Sequence, residues 1–440
     1  MMRMGIAFMI IIFFAVMLLA EAGAVEFEYR EEVLDNGFRI LVEEVPGPGI
    51  VSMGVWVAVG SAHEEEEEAG IAHFLEHMLL KGTETRPPGR IQEEIASLGG
   101  RMNGATSFEY TYYFLTLPGH FWKEGLDVLA DIMLNPSFDP QEFTREREVV
   151  LREIDEREDS PGSRVARLFY ESLFDHHPYG RPIIGYREVV KELGREDLIR
   201  FYEEHYHPEN MLLIITGDID AESVIAQAKK WFENVPVGQP PRVYRPSEPP
   251  LKGVRLAEEE ADIRSVYWMM GFHAPSQEET QEAYALSMAV SILGGGRSSR
   301  LYRSVREEQG LVSSISSSYL PLPDAGAAMV RVIVSPENQE MAKSAVREEI
   351  GRFLEEGPTE EEMERARTMI ASSLLFSMEG ASGRRNQYGY FGVSNNLQYL
   401  RGYLEGVHRV TVCEVLEVSR KYLSTDDYLL AVLRPLKEVE

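Results

Sequence analysis

The sequence predicts an α+β protein of two homologous lobes, each a mostly antiparallel sheet covered by helices, the pair enclosing a cleft. Three observations lead there. The chain has 440 residues, 44% apolar and 26% charged, which is enough for two globular cores. A proline-rich stretch, PVGQPPRVYRPSEPPLKG from Pro236 to Gly253, divides it into halves of about 200 residues. The order of strands and helices before that stretch is repeated after it, with little residue identity.

The chain opens MMRMGIAFMIIIFFAVMLLAEAGAVEF. Arg3, an apolar run from Gly5 to Ala20, and small residues at Ala20, Ala22 and Ala24 make a secretory signal, expected to be cut after Ala22, with an uncleaved anchor as the alternative reading. The run is short for a bilayer span, so no stable membrane association is expected once residues 1–22 are removed. A periplasmic rather than an extracellular location is expected. Cys413 is the only cysteine, so no internal disulfide forms, and a lone cysteine reads as a core residue. The formal net charge of −28 argues against nucleic acid as a partner.

The first lobe is expected over residues 23–235. Two β-rich runs, FRILVEEV and IVSMGVWVAVGS, flank the turn at Pro46 to Gly49 and read as a hairpin. Glu64 to Glu68 then either support the next helix through its dipole or form a solvated loop. That helix is AHFLEHMLLKGT, from Ala72 to Thr83. PPGRIQEEIASLGG is a helix closed by Gly99 and Gly100, and RMNGATSFEYTYYFLTLPG reads as two strands. HFWKEGLDVLADIMLNPSF is an amphipathic helix. Asp139 and Pro140 open a long charged one, QEFTREREVVLREIDERED, which stops at Ser160-Pro161-Gly162. Another helical stretch and the loop HHPYGRPIIGYRE lead to helix REDLIRFYEEHYHPENM, a buried strand from Leu212 to Thr216, and a helix from Ala221 to Phe232.

The linker is expected over 236–253 and the second lobe over 254–440. Its elements are strand VYWMMGF, helix EAYALSMAVSILGGG, strands LVSSISSSYLPL and AAMVRVIVS, helices ENQEMAKSAVREEIGRFLEEG and TEEEMERARTMIASSLLFSM, and a closing strand DYLLAVLRP.

The chemistry is concentrated in Ala72–Thr83. His73, Glu76 and His77 stand in the order His-x-x-Glu-His and fall within an arc of about 100° on a helix. Ile71, Phe74, Leu75, Met78 and Leu79 take the other side. Two imidazoles and a neighbouring carboxylate suit a catalytic zinc, which keeps a coordination position open beside a base. The matching stretch of the second half, AYALSMAVS, has none of these groups. A third ligand is needed, and the long helix offers Glu146, Glu148, Glu153 and Glu156. Glu146 and Glu153 are seven apart and share a face with Val149 and Val150, whereas Glu148 points elsewhere. A carboxylate on an inward face is costly unless it is paired or binds metal. His176, His177, His205 and His207 lie near prolines with no carboxylate at helical spacing, and read as structural.

Here the chain resembles the pitrilysin/insulinase family of inverted zincins, in the branch that includes mitochondrial processing peptidase and its bacterial relatives. The resemblance rests on GIAHFLEHMLLKGT from Gly70, REREVVLREIDE from Arg145, GGRMNGATS from Gly99, HPYGRPIIG from His177 and LGGGRSSRLYRSVREEQGL from Leu293. Glu153 lies 76 residues beyond His77, as in the family. The resemblance implies a metalloendopeptidase with one zinc per chain on His73, His77 and Glu153. It makes Glu76 the general base and gives Glu146 a supporting role. Substrate binding would involve Asn103 on an edge strand and Arg306 from the second lobe. Extended or unfolded peptides would bind by strand addition in a closing cleft. A homodimer, or a heterodimer with a homologous chain, is expected.

One departure stands out. The family's second lobe pairs its arginine with a tyrosine seven residues on, and here that position is Ser313. Tyr319 is six residues further, on the same strand face but about 20 Å away. Either the chain cleaves alone, or a partner supplies the tyrosine. An inactive peptide-binding scaffold is the third reading, and the intact set His73, Glu76, His77 and Glu153 weighs against it.

Overall fold

The computed structural model describes residues 27–47, 49–239 and 245–436. The expected signal, residues 1–22, and part of the linker lie outside them. No helix among the described residues is long and apolar enough to cross a membrane.

The first lobe runs β1 (Tyr29–Val33), β2 (Arg39–Glu44), β3 (Ile50–Val57), α1 (Ile71–Leu79), α2 (Arg90–Ser97), β4 (Arg101–Thr106), β5 (Thr111–Pro118), α3 (Trp122–Leu134), α4 (Pro140–Asp159), α5 (Pro161–Leu173), α6 (Arg187–Glu192), α7 (Arg195–His205), β6 (Met211–Gly217) and α8 (Ala221–Phe232). The second runs β7 (Val254–Ala261), β8 (Val266–Ala274), α9 (Thr280–Gly294), a π-helical turn (Tyr302–Glu308), β9 (Val312–Pro321), β10 (Gly326–Val334), α10 (Gln339–Glu356), α11 (Glu360–Ser377), α12 (Ala381–Gly392), α13 (Leu397–Arg409), α14 (Val412–Tyr422) and β11 (Tyr428–Pro435).

The first sheet is ordered β1-β2-β6-β3-β5-β4 and the second β7-β11-β8-β10-β9. With β1 set aside, the orders correspond strand for strand. So do the senses: β2–β6 and β7–β11 are parallel, and the other neighbours are antiparallel. The repeat seen in the sequence is therefore a repeat of topology.

The expected hairpin at Pro46–Gly49 is corrected. Strand β6 lies between β2 and β3, parallel to the first and antiparallel to the second. Every residue of β6 is buried, so this most apolar strand takes the middle of the sheet. The link from Val45 to Gly49 is long enough to step over one strand, a span of about 10 Å.

Helices α1, α3, α4, α7 and α8 cover one face of the first sheet, packing on inward residues such as Met53, Val55, Tyr113, Leu115 and Ile215. The opposite face is covered from the other half of the chain. Tyr388 of α12, with Leu374, Met378 and Leu400, closes over Trp56, Leu212 and Ile214. The exchange is reciprocal: Phe169 and Leu173 of α5 pack with Met269, Met329, Leu429 and Leu433 of the second sheet. Polar groups on the inner strands are met in the same way. Ser52 Oγ accepts from Arg385 at 2.7 Å, and Thr216 Oγ1 donates to the Ala381 carbonyl at 2.6 Å. From the linker, Arg245 binds Glu109 of the first lobe at 2.6 Å and also pairs with Asp324 of the second.

Cys413 is exposed, which corrects its reading as a core residue. It is the second residue of α14, whose buried side is Val415, Val418 and Ser419. Two residues before Val415, it points away from that side.

Candidate metal centre

Helix α1 is held at both its start and its flank. Gly70 caps it in the left-handed region, at φ 102°, where a side chain is strained. Glu64, 2% exposed, receives the amide N–H of Gly70 on Oε2 and that of Ala72 on Oε1, each at 2.9 Å. One member of the acidic run thus supports the helix N-terminus, while Glu65, Glu66 and Glu67 are exposed. Arg181, from the HPYGRPIIG loop, donates to the Glu64 carbonyl at 2.5 Å. Burial pushes the Glu64 carboxyl up, to about 8, against those two amides and Arg181. Phe74 stacks on Phe143 of α4 with centroids 5.1 Å apart, which sets α1 against α4.

Helix α4 begins at Asp139, which accepts from the amides of Gln141 and Glu142, with Pro140 at its first position. Its inward face carries Phe143, Glu146, Val150 and Ile154. Glu153 Oε2 lies 3.7 Å from His73 Nε2 and 3.6 Å from His77 Nε2. His73, His77 and Glu153 form the one potential metal-holding group among the described residues, with ligand atoms all within 4.8 Å of one another. Donors on a tetrahedron around zinc, with bonds of about 2.0–2.1 Å, stand about 3.4 Å apart. The donor set and its spacing therefore fit zinc.

The surrounding groups complete the fit. Glu146 Oε2 lies 3.2 Å from His77 Nδ1, and its Oε1 lies 2.9 Å from Lys81 Nζ. Glu153 Oε1 is held by Arg157 at 2.9 Å. Each carboxylate so turns one oxygen to the histidines and the other to a cation. Hydrogen bonds to His77 and Arg157 hold Glu153 low, at about 2, against its burial. Burial, together with His77, pushes His73 down to about 3, so it is a neutral donor. Burial also disfavours charge on His77, yet its bonds to Glu146 and Glu153 raise it to about 9.

Glu76 is 6% exposed and receives a hydrogen bond from Thr106 Oγ1 on Oε2 at 3.3 Å. Burial raises its carboxyl above the ordinary value, against the pull of His77 and Thr106. Asn103 is exposed on β4, the edge strand of the sheet. Since Thr106 faces Glu76, the pleat turns Asn103 to the other face, beside Phe114. Arg306 is not brought to this group. It lies exposed in the π-helical turn, stacked 4.9 Å over Tyr302, with Nη1 donating to Tyr302 Oη at 3.1 Å. Sequence reasoning passed over Lys81, Thr106 and Arg157. Lys81 and Arg157 each carry a signal: they stand four residues beyond His77 and Glu153, one helical turn on.

Residues 39–187 match the family model described as Insulinase (Peptidase family M16), and residues 192–370 match the one described as Peptidase M16 inactive domain. An uncharacterized zinc protease of Mycobacterium tuberculosis is 33% identical over 412 residues, covering 92% of this chain and 93% of its own. The chain belongs to peptidase family M16. Another member, an uncharacterized zinc protease of Bacillus subtilis, is 30% identical over 405 residues, 91% of this chain and 97% of that one. Two solved structures share the fold. A protease from Helicobacter pylori has a TM-score of 0.88 at 24% identity and covers 93% of this chain and 99% of that one. A periplasmic protease of Escherichia coli has a TM-score of 0.77 at 20% identity, over 93% of this chain and 48% of that one. His73, His77, Glu146 and Glu153 lie in α1 and α4, both within the first matched segment.

Proposed function

We propose that this chain is an exported zinc metalloendopeptidase that hydrolyses extended or unfolded peptides, with one zinc per chain. The observation that carries the reading is that one carboxylate oxygen of Glu153 faces both Nε2 atoms, at 3.7 and 3.6 Å, with Glu76 on the same helix. His73, His77 and Glu153 would hold the ion. When bound, it supplies Lewis acidity at the scissile carbonyl and acidifies a water. Glu76 takes the proton from the attacking water and returns it to the leaving amine. Glu146 fixes the His77 ring so that Nε2 faces inward. The free edge of β4 offers main-chain groups to an extended peptide, and Asn103 borders it. Such pairing is weakly sequence-selective, which suits processing or clearance of unfolded chains. Periplasmic residence rests on the signal-like N-terminus, and the periplasmic E. coli protease is in keeping with it.

A second reading is favoured by a specific contact. Ser313 Oγ donates to the Ile333 carbonyl at 3.0 Å, and Tyr319 Oη donates to the Pro275 carbonyl at 2.6 Å. Neither offers a free phenol beside Arg306, so a homologous partner chain would bring the tyrosine and close the cleft over the metal. The E. coli protease, of which this chain spans 48%, is long enough to hold two such units in one polypeptide.

The test is hydrolysis of a short, unstructured, quenched-fluorescence peptide by the chain without residues 1–22. A zinc chelator and Glu76→Gln serve as controls. Cleavage lost in both establishes a self-sufficient enzyme. Bound zinc without cleavage points to the partner chain. The absence of both bound zinc and cleavage overturns the peptidase reading.

A further inference from the structure

The strand bordering the metal group carries a glycine that its backbone does not require. Gly104 sits inside β4, opposite Tyr113 of β5, and its φ is not positive. Glycine weakens a strand interior, and where it occurs another group often approaches closely. Here that group is Glu76. A Cβ on Gly104 would lie 2.6 Å from Glu76 Oε1, 2.9 Å from Cγ and 3.0 Å from Cδ. The contact runs along the side chain, so turning the terminal carboxylate alone does not clear it. Two residues on, on the same face, Thr106 holds the other oxygen of that carboxylate. The helix cannot withdraw instead, because Glu64 binds its first turn and Phe74 is stacked on Phe143.

We propose that Gly104 and Thr106 are positioning residues for Glu76, so that the edge strand offered to the peptide also fixes where the base stands. The catalytic consequence rests on the peptidase reading above, whereas the geometric statement does not. The strand is the substrate's template, and its small residue makes room for the base beside the bound backbone. Any side chain at 104 moves the carboxylate away from Thr106 and out of line with the scissile bond.

The experiment is Gly104→Ala, alone and in a Glu76→Asp background. The added methyl meets a flexible side chain, so the variant is expected to fold, and thermal unfolding checks this. In the single variant, kcat is expected to fall about 10- to 100-fold, the scale of a displaced general base. KM and zinc affinity, the latter measured with a chromophoric chelator, are expected to hold. In the Glu76→Asp background the shorter carboxylate leaves room for the methyl, so Gly104→Ala is expected to cost nothing further. A crystal structure of Gly104→Ala is expected to show Glu76 displaced from Thr106. A carboxylate unmoved in that structure overturns the proposal, and so does a loss confined to KM. Losses that multiply in the Glu76→Asp background overturn it as well. If the parent chain neither binds zinc nor cleaves, the peptidase reading fails, and the crystal structure still decides the geometry.

Discussion

Glu146 stands 3.2 Å from Nδ1 of His77, which leaves Nε2 of the same ring to face Glu153 at 3.6 Å. Both carboxylates come from one helix, seven residues apart, and they take the two sides of one imidazole. With Nδ1–H donated to Glu146, Nε2 is left as a bare donor for a metal. Without metal, the protonated ring of His77 turns an N–H toward each carboxylate, which is why that ring is the basic one and His73 the neutral one.

Glu146→Gln tests this orientation. The amide keeps the shape but loses the charge, and Lys81 loses its partner. Zinc affinity is expected to drop about 10- to 100-fold, the usual cost of losing an orienting partner behind a metal histidine. Competition with a chelator measures it, and an unchanged affinity would show that packing alone fixes the ring.

Metal removal is expected to lower stability as well as activity. The ligands come from α1 and α4, so an ion bound only by the folded state stabilises the packing of the two. At free zinc of 100 times Kd the gain is about 2.7 kcal/mol. Thermal unfolding with added zinc and with chelator reads this out. Glu153→Ala is expected to abolish the difference, and a zinc-dependent shift that survives in Glu153→Ala would place the ion elsewhere.

Much of the site is legible in the sequence because it uses fixed helical spacings. His73, Glu76 and His77 lie within one helical turn, and Glu146 and Glu153 lie two turns apart. What stayed hidden depends on contacts between elements. Gly104 and Thr106 meet Glu76 only because β4 is laid along α1, and nothing local marks them. In the fold, β6 was legible as a strand but not as the one that parts β2 from β3. The stretch from Ala381 to Arg409 was not legible as α12 and α13, because its Gly and Asn residues argue against helix. The structure gives the reason: a Cβ at Gly406 would sit 2.1 Å from the Tyr284 ring, so close packing requires the glycine that propensity penalises. Arg306 was assigned a cross-cleft role from family resemblance, and a single chain leaves it stacked on its own Tyr302.

The second-lobe signature contributes stability through Arg300, whose Nε and Nη2 each reach Glu362 at 2.7 Å. Burial works against charge on Glu362, but Arg300 and the Thr359 amide bring it down to about 2. An acid depressed in the folded state contributes stability that is present above its unfolded value, about 4.5, and lost as pH falls toward 2. The shift corresponds to about 3 kcal/mol. Urea unfolding from pH 7 to pH 2 is expected to show a shallower acid loss in Glu362→Gln, which starts less stable at pH 7. Parallel profiles for variant and parent would count against the clamp.

The joining of the two halves is tested at Gly389 of α12. A Cβ there would lie 2.0 Å from Trp56 Cε2 and 2.3 Å from Cζ2. The indole cannot yield, since it is 1% exposed and stacked on Tyr112 at 4.9 Å. Gly389→Ala is therefore expected to cost about 1–3 kcal/mol through overpacking, despite the higher helix propensity of alanine. Trp56→Phe alone is expected to destabilise by leaving a cavity. Together the two are expected to cost less than their sum, because the smaller ring makes room for the methyl. Urea midpoints of the four chains give the coupling. Additive losses would mean that α12 does not rest on Trp56, and that the second half is not seated on the first sheet through this contact.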